Sequence, residues 1–273
     1  MTYRELCARL SDAGIGSAEW DAALLLEHFC GADAGSVALE DARDYVCAEL
    51  EDAVCKRVTR IPLQYLLGEW EFYRQKYEVT PDCLIPRADT EILVEQAIRR
   101  LPHGARFADL CAGSGCIAIS VLAERPDTYA IAVEKYPATL ELACRNARKN
   151  GVEERFVPRC ADVLDADFHA FEEPLDAILC NPPYIRSDVI PTLEAELFAE
   201  PRAALDGGED GLLFYRRLLQ TQTRCLKPGG FFLFEIGYDQ ADAVCAIGAE
   251  NGFAHVEVLR DYGGCDRVAV LSR

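Results

Sequence analysis

The chain has 273 residues, half of them hydrophobic, with 46 acidic against 28 basic side chains and a formal net charge of −18. That length and apolar content can bury a large core, in one large domain or in a small one joined to a medium one, as in an ordinary globular protein. So acidic a surface opposes nonspecific nucleic-acid binding, which depends on Lys and Arg neutralising phosphates, and no run approaches the roughly 20 apolar residues of a membrane span.

The first segment, MTYRELCARL, carries charges from its fourth residue and lacks the apolar stretch of a signal peptide, so a soluble, cytoplasmic protein is expected. Apolar positions recur at three and four in YRELCARLSDAGI, SAEWDAALLLEHFCG and RDYVCAELEDAVCKRV, which predicts a small helical bundle. Gly14, Gly16 and Gly31 fall where its helices would stop. IPLQYLLGEWEFYRQKYEV then sets Gly68 in an aromatic-rich, partly alternating stretch and reads as a short hairpin or extended connector near 65–80. The expected division is a helical domain over 1–75 and a second domain over 76–273.

From about residue 100 strands alternate with helices. Apolar runs at RFADLCA, TYAIAVEK, RFVPRCA, LDAILCNP and GGFFLFEIG are separated by the helical CIAISVLAERP, PATLELACRNARKN and GLLFYRRLLQTQTRCL. The alternation predicts a doubly wound α/β fold, a mainly parallel sheet with helices on both faces. HVEVLRDY and DRVAVLSR, separated by a turn-like GGC, predict an antiparallel hairpin at one sheet edge. Thirteen cysteines, with no C-x-x-C pair, read as small buried hydrophobes in a reducing compartment. The histidines (His28, His103, His169, His255) are scattered, and no metal is expected.

Two stretches carry chemistry. In ADLCAGSGCIAISV a strand runs into Gly113-Ser114-Gly115 and then a helix, so glycines stand where the backbone turns sharply and lets a ligand approach a helix N-terminus. Glu134 ends the next strand, the place from which an acid accepts hydrogen bonds from ribose hydroxyls in doubly wound folds. Ala118 occupies the third glycine position of the dinucleotide fingerprint, an allowed variant, so a nicotinamide cofactor remains open on this motif alone. The second stretch is CNPPYI, residues 180–185, at the carboxyl end of the fourth strand, where open α/β sheets bind ligands. The Asn181 side-chain oxygen and the Pro182 carbonyl are two acceptors suited to the two N–H groups of a planar –NH2. Accepting both hydrogens holds the nitrogen and favours its change towards tetrahedral geometry, where its lone pair faces an incoming methyl. Tyr184 can orient the planar group by stacking.

NPPY together with AGSG and a downstream acid resembles the S-adenosylmethionine-dependent amino methyltransferases. The segments IPLQYLLGEWEFY, LIPRADTEILVE, DLCAGSGCIAI, EPRAALDGGEDGL, LKPGGFFLFEIG and RDYGGCDRV narrow the resemblance to the glutamine N5-methyltransferases that modify class I peptide chain release factors. The resemblance implies a Rossmann-like class I methyltransferase with a seven-stranded sheet. S-adenosylmethionine would be held by Asp109, by the loop of Cys111, Ala112, Gly113, Ser114 and Gly115, and by Glu134. Asp162 and Val163 would lie near the adenine, and Arg87 and Glu91 would belong to the same wall. Asn181, Pro182, Pro183 and Tyr184 would bind the substrate glutamine, with Asn181, Pro182 and Tyr184 catalytic and Asn181 also bordering the cofactor. Cys111 departs from the glycine that many relatives carry, and Val163 from an aromatic.

The expected reaction is direct methyl transfer to the glutamine N5 in a Gly-Gly-Gln motif, leaving S-adenosylhomocysteine, with no covalent enzyme intermediate and no obligatory general base. The helical region is expected to help dock the folded factor. The alternatives are a glutamine methyltransferase for a ribosomal protein and a nucleic-acid amino methyltransferase acting on a flipped base. The acidic balance speaks against the second, and no sequence-specific nucleic-acid binding is expected.

Overall fold

The computed structural model describes residues 1–166, 168 and 171–273; His169 lies outside them. The chain divides into two compact units, one of Met1–Glu69 with Glu194–Ala199, the other of Trp70–Leu193 with Glu200–Arg273.

The first unit is built on four helices. α1 (Tyr3–Asp12) opens on a capping box: the Thr2 hydroxyl accepts from the Glu5 N–H and the Glu5 carboxylate accepts from the Thr2 N–H. α2 (Ala18–Cys30) ends at Gly31, whose φ of 65° is the left-handed cap that glycine adopts without strain. α3 (Ala48–Val58) starts five residues later than the periodicity predicts. Residues 43–47 are tied back to the N-terminus instead, by the Thr2–Asp44 bridge and the Tyr45 N–H to the Met1 carbonyl, leaving Cys47 extended. Leu6, Leu10, Leu25, Leu26, Leu50 and Val54 form the core of the unit. Within that core Arg57 is buried, its guanidinium 2.6 Å from Asp21 and 2.9 Å from Glu196, so the charge is paired on both sides. The expected connector holds a short helix before its hairpin: α4 (Leu63–Leu67) is closed by Gly68 at φ 73°. The hairpin follows as β1 (Glu69–Phe72) and β2 (Gln75–Glu78).

The second unit carries α5 (Glu91–Arg100), β3 (Arg106–Leu110), α6 (Cys116–Glu124), β4 (Tyr129–Glu134), α7 (Pro137–Lys149), β5 (Phe156–Cys160) and β6 (Leu175–Cys180). It continues with α8 (Leu213–Gln222), β7 (Leu226–Glu235), α9 (Ala241–Glu250), β8 (His255–Arg260) and β9 (Asp266–Ser272). The seven strands pair in the order β5-β4-β3-β6-β7-β9-β8, with β5 to β7 parallel. This is the doubly wound α/β sheet that the alternation predicts. The closing hairpin is antiparallel, but β9 inserts between β7 and β8, so β8 and not β9 is the edge. Central strands β3 and β6 are nearly continuous buried runs, as a sheet covered on both faces requires. Pro158 sits in edge strand β5, where a missing N–H costs no ladder bond. After β3 the chain winds outward to β5 and then returns to lay β6 beside β3. Between the carboxyl ends of these two strands lies the topological switch point, the crevice where such sheets bind ligands. Among the described residues no helix is long and apolar enough to cross a membrane.

Candidate active site

The loop after β3 turns through positive φ at Cys111 (60°), Gly113 (56°) and Gly115 (79°). Gly115 serves packing: a Cβ there would lie 2.9 Å from Ile119 Cδ1 and 3.2 Å from Ala143 Cβ, so only glycine lets α6 and α7 approach this closely. Ser114 is buried, and its carbonyl accepts from Asn146 Nδ2 at 3.0 Å. Asp109, wholly buried near the end of β3, accepts from the Ala118 N–H at 3.0 Å through one oxygen, while the other has no partner among the described residues. Burial pushes this carboxyl up to about 7, against the pull of the Ala118 N–H.

At the end of β4, Glu134 accepts one backbone N–H on each oxygen, from Gly113 and from Tyr136, both at 3.0 Å. Each oxygen keeps a free lone pair, and the side chain lines a cavity with Cys111, Gly113, Asp162, Val163, Asn181 and Pro183. Asp162 is held by Lys135 at 2.9 Å and by the Leu164 N–H. Burial raises its pKa, but the lysine and the Leu164 N–H together outweigh that and the net shift is downward. The cavity also takes Tyr136, Leu164 and Phe214, which the sequence reading did not single out, and their apolar faces border the acids.

Seven anticipated site residues therefore meet in one cavity. Among the described residues, Ala112, Ser114, Gly115, Pro182, Tyr184 and Asp109 are not part of this lining but adjoin it in the chain. Arg87 and Glu91 fasten neighbouring segments. Arg87 pairs with Glu200, which also accepts from the Ile85 N–H, and Glu91 accepts from the Tyr73 N–H at 2.9 Å, holding the hairpin turn.

The NPPY stretch follows the last residue of β6. Asn181 donates through Nδ2 to the Thr90 hydroxyl at 3.2 Å, and Thr90 donates its own proton to Glu235 at 2.5 Å. The Tyr184 hydroxyl donates to the other oxygen of Glu235 at 3.2 Å. Glu235 is buried at the end of β7; burial raises its pKa, opposed by the Thr90 bond, by Arg267 and by the Tyr184 bond. Burial, then the Glu235 charge, hold the Tyr184 phenol up, so it stays a neutral donor. Gln240 steadies the backbone behind, giving its Nε2 to the Tyr184 carbonyl at 2.9 Å. Thr90, Glu235 and Gln240 brace the NPPY stretch, and motif reading did not single them out. Thr90 and Glu235 lie within LIPRADTEILVE and LKPGGFFLFEIG, but neither residue type announces a role without its partners.

The cavity suits an adenosyl ligand: a carboxylate with lone pairs left for two hydroxyls, apolar faces for a base, and a strand-to-helix turn open to backbone approach. The family model described as "Methyltransferase small domain" matches residues 88–228, and "PrmC N-terminal domain" matches residues 2–68. The sheet order and this site define a Rossmann-like methyltransferase, a class whose fold implies S-adenosylmethionine as methyl donor. A release factor glutamine methyltransferase of Geobacter sulfurreducens is 41% identical over 79% of this chain and 74% of its own length, and one of Caulobacter vibrioides is 36% identical over 96% and 92%. The chain belongs to the release factor glutamine methyltransferase family. In fold it is also similar to a methyltransferase from Pyrococcus furiosus, with a TM-score of 0.54 and 18% identity over 72% of this chain and 87% of that one.

Proposed function

We propose that the chain methylates the N5 nitrogen of the glutamine in the Gly-Gly-Gln motif of class I peptide chain release factors. The observation that carries this reading is the orientation of Asn181. Its Nδ2 gives one hydrogen to Thr90, which turns the nitrogen end of the planar amide towards that hydroxyl and would leave Oδ1, at the opposite end, for a ligand in the cavity that Asn181 lines. With the Pro182 carbonyl it would accept both hydrogens of the substrate –NH2. That positions a nitrogen whose delocalised lone pair makes it a poor nucleophile and eases it towards tetrahedral geometry. Tyr184, Pro183 and Pro182 would shape the slot around the planar group.

S-adenosylmethionine, when bound, supplies an electrophilic methyl group on its sulfonium and leaves as S-adenosylhomocysteine. Glu134 would accept from the ribose hydroxyls, Asp162 and Val163 would border the adenine, and the Cys111–Gly115 loop would follow the amino-acid end, with Asp109 behind it and Arg87 and Glu91 bracing the wall. The substrate nitrogen sheds its proton once it has become cationic, so no general base is required. We assign the helical region, residues 1 to about 75, to docking the folded factor, because a short loop alone loses more freedom on binding than a preorganised partner. A release-factor substrate also places the enzyme in the cytoplasm.

Mass spectrometry of an intact release factor after incubation with enzyme and S-adenosylmethionine tests the substrate, with DNA and RNA in parallel. A gain of one methyl on the Gly-Gly-Gln glutamine is expected; methylated nucleic acid with an unmodified factor would overturn the reading. Asn181→Ala should keep cofactor affinity and lower kcat by on the order of 100-fold or more. Turnover near wild type would remove Asn181 from its role.

A further inference from the structure

We infer that Thr90 and Glu235 form a polarity relay that fixes which end of the Asn181 amide faces the cavity, and thereby selects a primary amide over a carboxylate as the group to be bound. The inference rests on the reading of the cavity as the glutamine-amide site. Glutamine and glutamate side chains have almost the same shape and differ in an –NH2 against an oxygen. The shape of the slot therefore separates them poorly, and the direction of its hydrogen bonds must do so.

The relay draws on three separate segments: Thr90 before α5, Asn181 after β6 and Glu235 at the end of β7. Glu235 receives one O–H on each oxygen, from Thr90 at 2.5 Å and from Tyr184 at 3.2 Å. Each oxygen thus meets a donor, which is the arrangement that the ionised carboxylate, an acceptor on both oxygens, calls for. The charged groups around it are Arg267, which pairs with Asp261 at 3.0 Å and Asp89 at 3.4 Å, and Asp89 itself. Thr90 is buried, and its single proton is spent on Glu235. It can offer Asn181 only a lone pair, so the amide nitrogen must turn to it, as the 3.2 Å contact records. Oδ1 is then the cavity end. With the amide reversed, Asn181 would meet the substrate –NH2 donor to donor, while a glutamate carboxylate would be welcomed. Thr90 and Glu235 are thus positioning residues that set specificity without touching substrate.

The test compares a folded class I release factor carrying Gly-Gly-Gln with its Gln→Glu counterpart, as the ratio of their Kd values measured with S-adenosylhomocysteine present. Thr90→Val keeps the shape and removes the hydroxyl; the preference for glutamine should fall by at least about tenfold, with kcat lowered and cofactor affinity unchanged. Thr90→Ser should restore both. Thr90→Ala removes the same acceptor without adding bulk, and carries the test if valine is not accommodated. A destabilised fold would weaken both factors alike and leave their ratio unmoved. A variant without the hydroxyl that keeps the wild-type ratio overturns the relay while leaving the amide reading in place. A wild-type enzyme that binds both factors equally overturns the amide reading, and the relay with it.

Discussion

Cys111 holds a left-handed backbone conformation, φ 60°, that costs a residue with a Cβ about 1–2 kcal/mol. A glycine there would relieve it, although glycine also gives the unfolded chain more freedom. Cys111→Gly should therefore raise stability by up to about 1 kcal/mol, read as a higher urea midpoint at unchanged m-value. A lower midpoint would mean that the thiol, which adjoins buried Cys180, contributes more than the strain costs. Asp109 makes a second prediction. Its pKa is raised from 3.8 to about 7, so between those values the folded chain keeps a proton that the unfolded chain releases, and this group's contribution to stability is lost as pH rises through the window. The Tm of Asp109→Asn relative to wild type should climb from about pH 4 to pH 7 and level off above. A difference independent of pH would show that the carboxyl ionises alike in both states. Asn181, Glu134 and the glycine turn were legible in the sequence because their residue types and spacing carry their chemistry. Thr90 and Glu235 were not, since a threonine and an acid acquire meaning only when folding brings together segments 145 positions apart.

Among the elements, strands and helices with clean periods came out of the sequence nearly whole, whereas segments governed by tertiary ties did not. Residues 43–47 have helical periodicity but are claimed by the N-terminus, and β9 pairs into the sheet ahead of β8, an order that no local pattern encodes. The EPRAALDGGEDG segment has no period at all, yet the structure gives it a reason. It lies against the NPPY backbone: the Ile185 N–H meets the Leu205 carbonyl at 2.9 Å, and the Gly207 N–H meets the Ile185 carbonyl at 2.8 Å. A Cβ on Gly207 would stand 2.7 Å from Tyr184 Cα and 2.8 Å from the Pro183 carbonyl. Gly207→Ala should accordingly cost about 1–3 kcal/mol of stability and displace the NPPY turn, so that kcat falls more than cofactor affinity. Equal kcat in variant and wild type would show that the loop yields without moving Tyr184.

Over the whole molecule, the excess of acidic side chains is spread through both units, while the exposed large apolar groups of the first unit include Trp20, 63% exposed. Tryptophans anchor interfaces out of proportion to their number. If that unit docks the folded factor, Trp20→Ala should raise KM for the intact factor by about tenfold or more, leaving kcat and the KM for a Gly-Gly-Gln peptide unchanged. An equal rise for factor and peptide would place the effect outside docking.

The return of Glu194–Ala199 to the first unit bears on how the chain is made. The helices at the N-terminus leave the ribosome first, yet Arg57 finds its second carboxylate, Glu196, only after more than 120 further residues have been joined. At ~5–20 residues per second that is a delay of roughly 6 to 26 s, during which the guanidinium has Asp21 and the Ile61 carbonyl but not its second carboxylate. Nascent chains stalled shortly after residue 69 should therefore be more open to protease within α2 and α3 than chains stalled well beyond residue 199. The order of synthesis and the order of completion run opposite ways in this protein, because the unit begun first is closed by a piece of chain made long after it.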